Sequence, residues 1–294
     1  MNANPSGVAG GEVLARDSFI EMSARERARS LLDPDGQREL LGPFDALYSP
    51  WLPRQGIVPQ ADDGVVVLRG HLGGRAAVVL ALEGRFQGGS IGEVCGAKIA
   101  GSLELALRDC EAGKPVLPVL LLETGGVRLQ EANLGLAVIA EIQSAVVALR
   151  RHVPVVAAIA GLVGCFGGMS LVAGLCSHIV ITRQARLGMN GPEVIEQEAG
   201  VEELDAGDRQ LVWSLIGGEQ RVATGLADAL VDDDAAQVRE QVLGFALGTP
   251  SEARSAQVSF WRARVDALAK QEDLSPKALR EAWETPHSAQ GDKP

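Results

Sequence analysis

The sequence predicts an α/β fold built on one core. Three observations carry this: apolar runs of strand length alternate with longer helical patterns, three of those runs end in glycine-rich turns, and no linker is rich enough to separate two domains. Glycine supplies 35 of the 294 residues, against a usual level of about 7 %. Such a chain is suited to many close backbone approaches.

Residues 1–60 read as an N-terminal arm. Its first dozen residues are small, glycine-rich and frayed, and Ala24, Ala28, Leu31 and Leu32 recur at helical spacing between Ser23 and Leu41. One or two short amphipathic helices are expected there, ending before Gly42-Pro43. Residues 61–250 read as the core. It opens with Val65–Leu68 and Ala76–Leu82, two apolar runs separated by Gly70 to Arg75, which predict paired strands. A strand–turn–helix unit then occurs three times: Leu80–Glu83 precedes Gly88-Gly89-Ser90, Val119–Glu123 precedes Gly125-Gly126, and Val155–Ala160 precedes Gly161 to Gly168. The second helix is the clearest, with Leu134, Val138, Ile142, Val146 and Leu149 on one stripe before Arg150-Arg151. Ile179–Thr182 and Arg186–Met189 suggest another strand pair, and Gly191-Pro192 a helix start. Asp208–Ile216, Ala235–Ala246 and Ser255–Lys270 have helical patterns; residues 251–294 form a helical extension with a disordered tail from Pro286.

Charge excludes several classes of function. Lysine plus arginine number 27 and aspartate plus glutamate 38, a net charge of −11 that repels nucleic acid and anionic lipid. His152 to Thr182 carries no formal charge and is long enough to span a bilayer, but Pro154 and five glycines mark it as strand, loop, helix and strand. Cys95, Cys110, Cys165 and Cys176 lack zinc-knuckle spacing, so no metal is expected. The first thirty residues show no secretory apolar stretch, which suggests a cytoplasmic protein with reduced thiols.

A glycine turn in front of a helix presents unpaired amides and a partial positive charge, a ready place for an anion. Neither a phosphate-loop lysine motif nor a G-x-G-x-x-G helix opening is present, so nucleotide cradles are poorly supported. Proton-transfer groups are sparse: His71, His152, His178 and His287 all lie outside the turns, and Ser170 has no nucleophile elbow. Cys165 reads as a packing residue within reach of substrate, Ser90 with Glu93 as a capping box, and Arg128 with Glu131 as a surface pair. Amide donors without an evident base suit a reaction limited by a developing enolate, such as malonyl-thioester decarboxylation or carboxyl transfer to an acyl thioester.

Four segments carry a more specific signal. Phe86–Glu93 (FQGGSIGE), Glu123–Glu131 (ETGGVRLQE), Gly164–Met169 (GCFGGM) and Asn190–Gln197 (NGPEVIEQ) resemble, in order and spacing, the signatures of acyl-thioester carboxyltransferase subunits. The resemblance covers roughly residues 60 to 235 and implies the crotonase-like fold, a spiral of ββα units with a backbone-amide oxyanion hole. The four-cysteine zinc ribbon usual in the bacterial acetyl-CoA carboxylase subunit is missing. Leu41–Phe44, Gln55–Gln60, Glu123–Asn133 and Trp213–Arg221 add a likeness to the β-subunit family of biotin-independent malonate decarboxylases.

That resemblance implies a catalytic oxyanion hole at Gly125, Gly126, Gly167 and Gly168, and substrate contacts at Gly88, Gly89, Ser90, Cys165, Phe166 and Asn190. It implies a γ-subunit partner and an acyl carrier protein, loaded by its own acyl transferase and bearing the malonyl group on a CoA-derived arm. No cofactor on this chain and no biotin are expected. Two other readings stand beside it: a carboxyltransferase subunit of a biotin-dependent carboxylase, and a silent structural subunit. The intact glycine pairs argue against the last.

Overall fold

The computed structural model describes residues 16–284 except 43–44, 46, 57–63, 132, 250–251 and 271–274. Among the described residues, seven strands form one mixed sheet in chain order: β1 (Arg38–Leu41), β2 (Val65–Leu72), β3 (Arg75–Leu82), β4 (Leu117–Leu122), β5 (Val156–Ile159), β6 (His178–Thr182) and β7 (Ala229–Val231). β1, β2 and β3 pair antiparallel, and every pairing from β3 to β7 is parallel. The parallel strands therefore all end on the same side, where the glycine turns leave the sheet. β4, β5 and β6 are buried along their whole length, as near-continuous apolar runs covered on both faces should be.

Helices fill the crossovers: α1 (Ala24–Leu31), α2 (Glu93–Glu111), α3 (Asn133–Leu149), α4 (Gly168–Leu175), α5 (Pro192–Ala199), α6 (Arg209–Ile216), α7 (Gly218–Ala223) and α8 (Ala235–Leu247). The extension adds α9 (Val258–Leu268) and α10 (Pro276–Glu284). α1 is started by Ser23 and Glu26, whose side chains bond reciprocally to each other's backbone N–H. α2 and α3 pack so closely that a β-carbon on Gly96 would collide with Val138. The uncharged stretch resolves as expected into β5, a loop, α4 and β6, and no helix among the described residues is long and apolar enough to cross a membrane.

Several local expectations are corrected. Arg38–Leu41 is the edge strand of the sheet rather than helix, because its backbone pairs with Val67, Leu68 and Arg69 of β2. Arg186–Met189 is not a strand; it makes only single bridges, Arg186 with Gly217 and Leu187 with Cys165. α3 begins seven residues after Gly126, beyond a 3₁₀ turn at Leu129–Glu131, so Gly125-Gly126 does not open that helix. Gly92, not Ser90, caps α2. The expected fraying of the first residues and the expected disorder from Pro286 fall outside the described residues.

Candidate active site

The glycine turns converge at the carboxyl ends of β3, β4 and β5, held there by two buried ion pairs. Glu123, the residue after β4, meets Arg27 of α1, and both side chains are almost fully buried. A β-carbon on Gly84 or on Gly161 would collide with Glu123, so this carboxylate is wedged between the exits of the two flanking strands. Arg27 also donates from Nε to the Phe19 carbonyl at 2.8 Å, and Val163 N–H approaches Glu123 Oε1 at 3.4 Å. A charge removed from water at this depth is tolerable only when paired and hydrogen-bonded.

The second pair joins two turns. Arg128 Nη1 donates to Glu131 Oε1 at 3.0 Å, and its Nε and Nη2 donate to Ser90 Oγ at 3.2 Å and Ser90 O at 3.1 Å. Glu131 accepts in turn from the Glu93 backbone N–H at 2.6 Å. Arg128 and Glu131 are buried, so the expected surface pair is an internal strut, and the expected Ser90–Glu93 capping box is replaced by Glu131 reaching across from the next turn.

Gly126 and Gly167 touch. A β-carbon on Gly167 would lie 3.1 Å from Gly126 Cα, and one on Gly126 would lie 3.6 Å from Gly167 Cα. Gly126 has φ 116° and Gly167 has φ 62° with ψ −146°, conformations that a side chain strains. Hydrogen bonds fix the contact: Phe166 N–H donates to Thr124 O at 3.0 Å and Thr124 N–H to Gly164 O at 2.8 Å.

The same bonds decide which amides are free. Gly125 N–H donates to Gly88 O at 2.8 Å, Gly126 N–H to Thr124 Oγ1 at 3.1 Å, and Gly167 N–H to Met189 O at 2.8 Å. Three of the four expected oxyanion donors are thus occupied within the chain. Gly168 N–H, at the first position of α4, has no acceptor among the described residues, and neither does Val127 N–H immediately after Gly126. Val127 N lies 3.9 Å from the position a Gly167 β-carbon would take, so the free amides flank the glycine contact from opposite loops.

The other expected contacts divide. Gly88 stands open, whereas Gly89 is pressed against the Glu123 carbonyl. Asn190 is exposed beside Met189, which caps Gly167. Cys165 and Phe166 are buried beneath the turn, with Cys165 N–H donating to Arg186 O at 2.8 Å. No metal-binding cluster occurs among the described residues, and His178 begins β6 at the opposite end of the parallel strands. Leu129, 86 % exposed, with Leu136, Leu171 and Met189 adds apolar surface on the turn loops and the helices that follow them.

The carboxyl transferase domain family matches residues 21–283. The chain belongs to the carboxyl transferase domain family. Its mixed sheet and helices are the α/β carboxyltransferase, crotonase-like fold expected above. It is a close structural homologue of a chain in the crystal structure of a Pseudomonas malonate decarboxylase hetero-tetramer in complex with malonate, with 59 % identity, 93 % of this chain and 99 % of that one covered, and a TM-score of 0.87. It is 39 % identical to the malonyl-S-ACP:biotin-protein carboxyltransferase of Malonomonas rubra, over 90 % of this chain and 88 % of that protein. The methylmalonyl-CoA carboxyltransferase 12S subunit of Propionibacterium freudenreichii subsp. shermanii is 33 % identical over 80 % of this chain and 43 % of its own length.

Within this carboxyl transferase domain two buried thiols, Cys165 and Cys176, are held neutral. Burial pushes the Cys176 thiol up to about 12 and, with Cys176 nearby, pushes up Cys165 as well. Unfolded cysteine ionises near about 8.5. Above that pH the folded chain binds more protons than the unfolded one, so this stability is fully present below about 8.5 and lost as pH rises toward 12. The loss approaches about 1.4 kcal/mol per pH unit for each thiol. Urea unfolding between about pH 9 and 10.5 should therefore show a shallower fall in stability for Cys176→Ala than for the wild type; equal slopes would contradict the assignment.

Proposed function

We propose that this chain is the β subunit of a malonate decarboxylase and that, with a related γ subunit, it converts a malonyl thioester on an acyl carrier protein to an acetyl thioester and carbon dioxide. The observation that carries this reading is the 59 % identity, over almost the whole of both chains, to a chain of the Pseudomonas hetero-tetramer. The carbon–carbon bond to the carboxylate breaks, its electron pair passes onto the thioester oxygen, and carbon dioxide leaves. The enolate then takes a proton at carbon. Val127 N–H and Gly168 N–H supply the donors for the enolate oxygen, with Gly125, Gly126 and Gly167 setting the turns that aim them. No covalent intermediate is needed, consistent with a buried, protonated Cys165.

A second reading has its own support. The Malonomonas relative is named as a carboxyltransferase between malonyl-S-ACP and a biotin protein. The same enolate would form there, with the carboxyl group passed to biotin instead of being released.

Assembly is part of the proposal. A site of amide dipoles works best when water is excluded, and this one lies on an open face edged by exposed Leu129, Leu136, Leu171 and Met189. The related Pseudomonas structures are a hetero-dimer and a hetero-tetramer. The chain alone should release little or no carbon dioxide from malonyl-S-ACP, and the γ subunit should both restore release and co-elute with it in size-exclusion chromatography. Full activity in a purified monomer would refute the shared site.

A further inference from the structure

A cavity of about 330 Å³ opens between α6, α7 and α10, with Arg183, Trp213, Gly217, Glu219, Gln220 and Arg280 among its walls. Neither the loop of Gly125 to Val127 nor that of Gly164 to Gly168 contributes to it. The decarboxylation steps therefore leave it unused.

Its polar groups do not satisfy one another. Gln220 is 1 % exposed, yet its Oε1 has no hydrogen-bond partner among the described residues. A buried acceptor without a donor is costly. The amide cannot turn over to relieve the cost, because Nε2 donates to Pro276 O at 3.3 Å and an oxygen in its place would face another acceptor. Neighbouring donors are committed elsewhere: Trp213 Nε1 donates to Gln184 O at 3.0 Å, and Ser214 Oγ to Leu211 O at 2.7 Å. The charges are unequal as well. Arg183 is paired with Glu219 and lies 3.6 Å from Asp232, whereas Arg280 has no hydrogen bond or ion pair among the described residues.

An occupant that completes both groups carries an anion for Arg280 and a donor for Gln220. The planar guanidinium fork matches a carboxylate. The donor is neutral, because Glu219 is already taken by Arg183 and an ammonium would meet the unpaired charge of Arg280. A hydroxyl meets that need. Trp213 and Gly217 supply an apolar wall for a short carbon chain between the two polar ends. We infer that this cavity is a binding site for a small hydroxy acid, with its carboxylate on Arg280, its hydroxyl donating to Gln220 Oε1 and its carbon chain along Trp213.

The test is calorimetric binding to the full chain, with 2-, 3- and 4-hydroxybutyrate, butyrate and inorganic phosphate as separate probes. At least one hydroxybutyrate should bind about tenfold more tightly than butyrate and than phosphate, and the position of its hydroxyl reads the spacing between Arg280 and Gln220. Gln220→Leu should erase the preference for the hydroxyl and leave butyrate binding as it was. Arg280→Gln, at a partly exposed position of α10, should weaken hydroxybutyrate and butyrate alike by about tenfold. Thermal midpoints are read for both variants, and Arg280→Gln carries the test if Gln220→Leu does not fold. Hydroxybutyrates that bind no better than butyrate, phosphate that binds as tightly as the best of them, or wild-type binding of that hydroxybutyrate by Arg280→Gln would each overturn the assignment.

Discussion

Gly167→Ala is expected to lower decarboxylation about a hundred- to a thousandfold, the loss typical of one oxyanion donor. The added methyl would sit 3.1 Å from Gly126 Cα, at a φ of 62° and ψ of −146° that only glycine adopts readily. Relief of that strain moves the start of α4 and with it the free Gly168 N–H. Gly126→Val should act from the other side, because Val127 N–H follows a residue at φ 116°. Gly168→Val tests the donor's own residue, since its β-carbon would come within 2.8 Å of Ile139 Cγ2. In each case kcat should fall while circular dichroism and co-elution with the γ subunit persist. Turnover near wild type in Gly126→Val and Gly167→Ala would remove the amides on these two loops from the mechanism.

The largest stability effect is expected at Arg27. Arg27→Met leaves the Glu123 carboxylate buried with only a long contact from Val163 N–H, and breaking a buried pair in this way costs about 3–5 kcal/mol. Urea unfolding should show that loss. Because the cost comes from the orphaned charge, Arg27→Met combined with Glu123→Gln should be less destabilised than Arg27→Met alone. A double variant as unstable as the sum of its singles would mean that Arg27 acts only through the Phe19 and Ile20 carbonyls it also binds.

What could be read in advance followed from locality. β2 to β6 announce themselves as apolar runs, and the glycine pairs and Pro192 are visible because backbone conformation is written in single residues. β1 is four residues long and is a strand because β2 lies beside it, which no local pattern records. The site was legible to the level of its loops but not of its atoms. Gly125 loses its N–H to Gly88, and Arg27 reaches a carboxylate 96 residues away. Both facts belong to the folded sheet, so the unoccupied amide lies one residue on, at Val127, and the anchoring pair has no signature in the local sequence. The ETGGVRLQE segment did contain the signal, since Glu123, Arg128 and Glu131 are charges placed beside a glycine turn and could have been examined as buried struts.

The most direct test of the central claim is to supply the purified complex of this chain and its γ subunit with malonyl-S-ACP in the presence of excess avidin, and to follow carbon dioxide and acetyl-S-ACP together. The account predicts one carbon dioxide and one acetyl thioester for each malonyl thioester consumed, at a rate that avidin does not change. Release that starts only when a biotinylated carrier is added in place of avidin would contradict it and identify the chain as a carboxyltransferase.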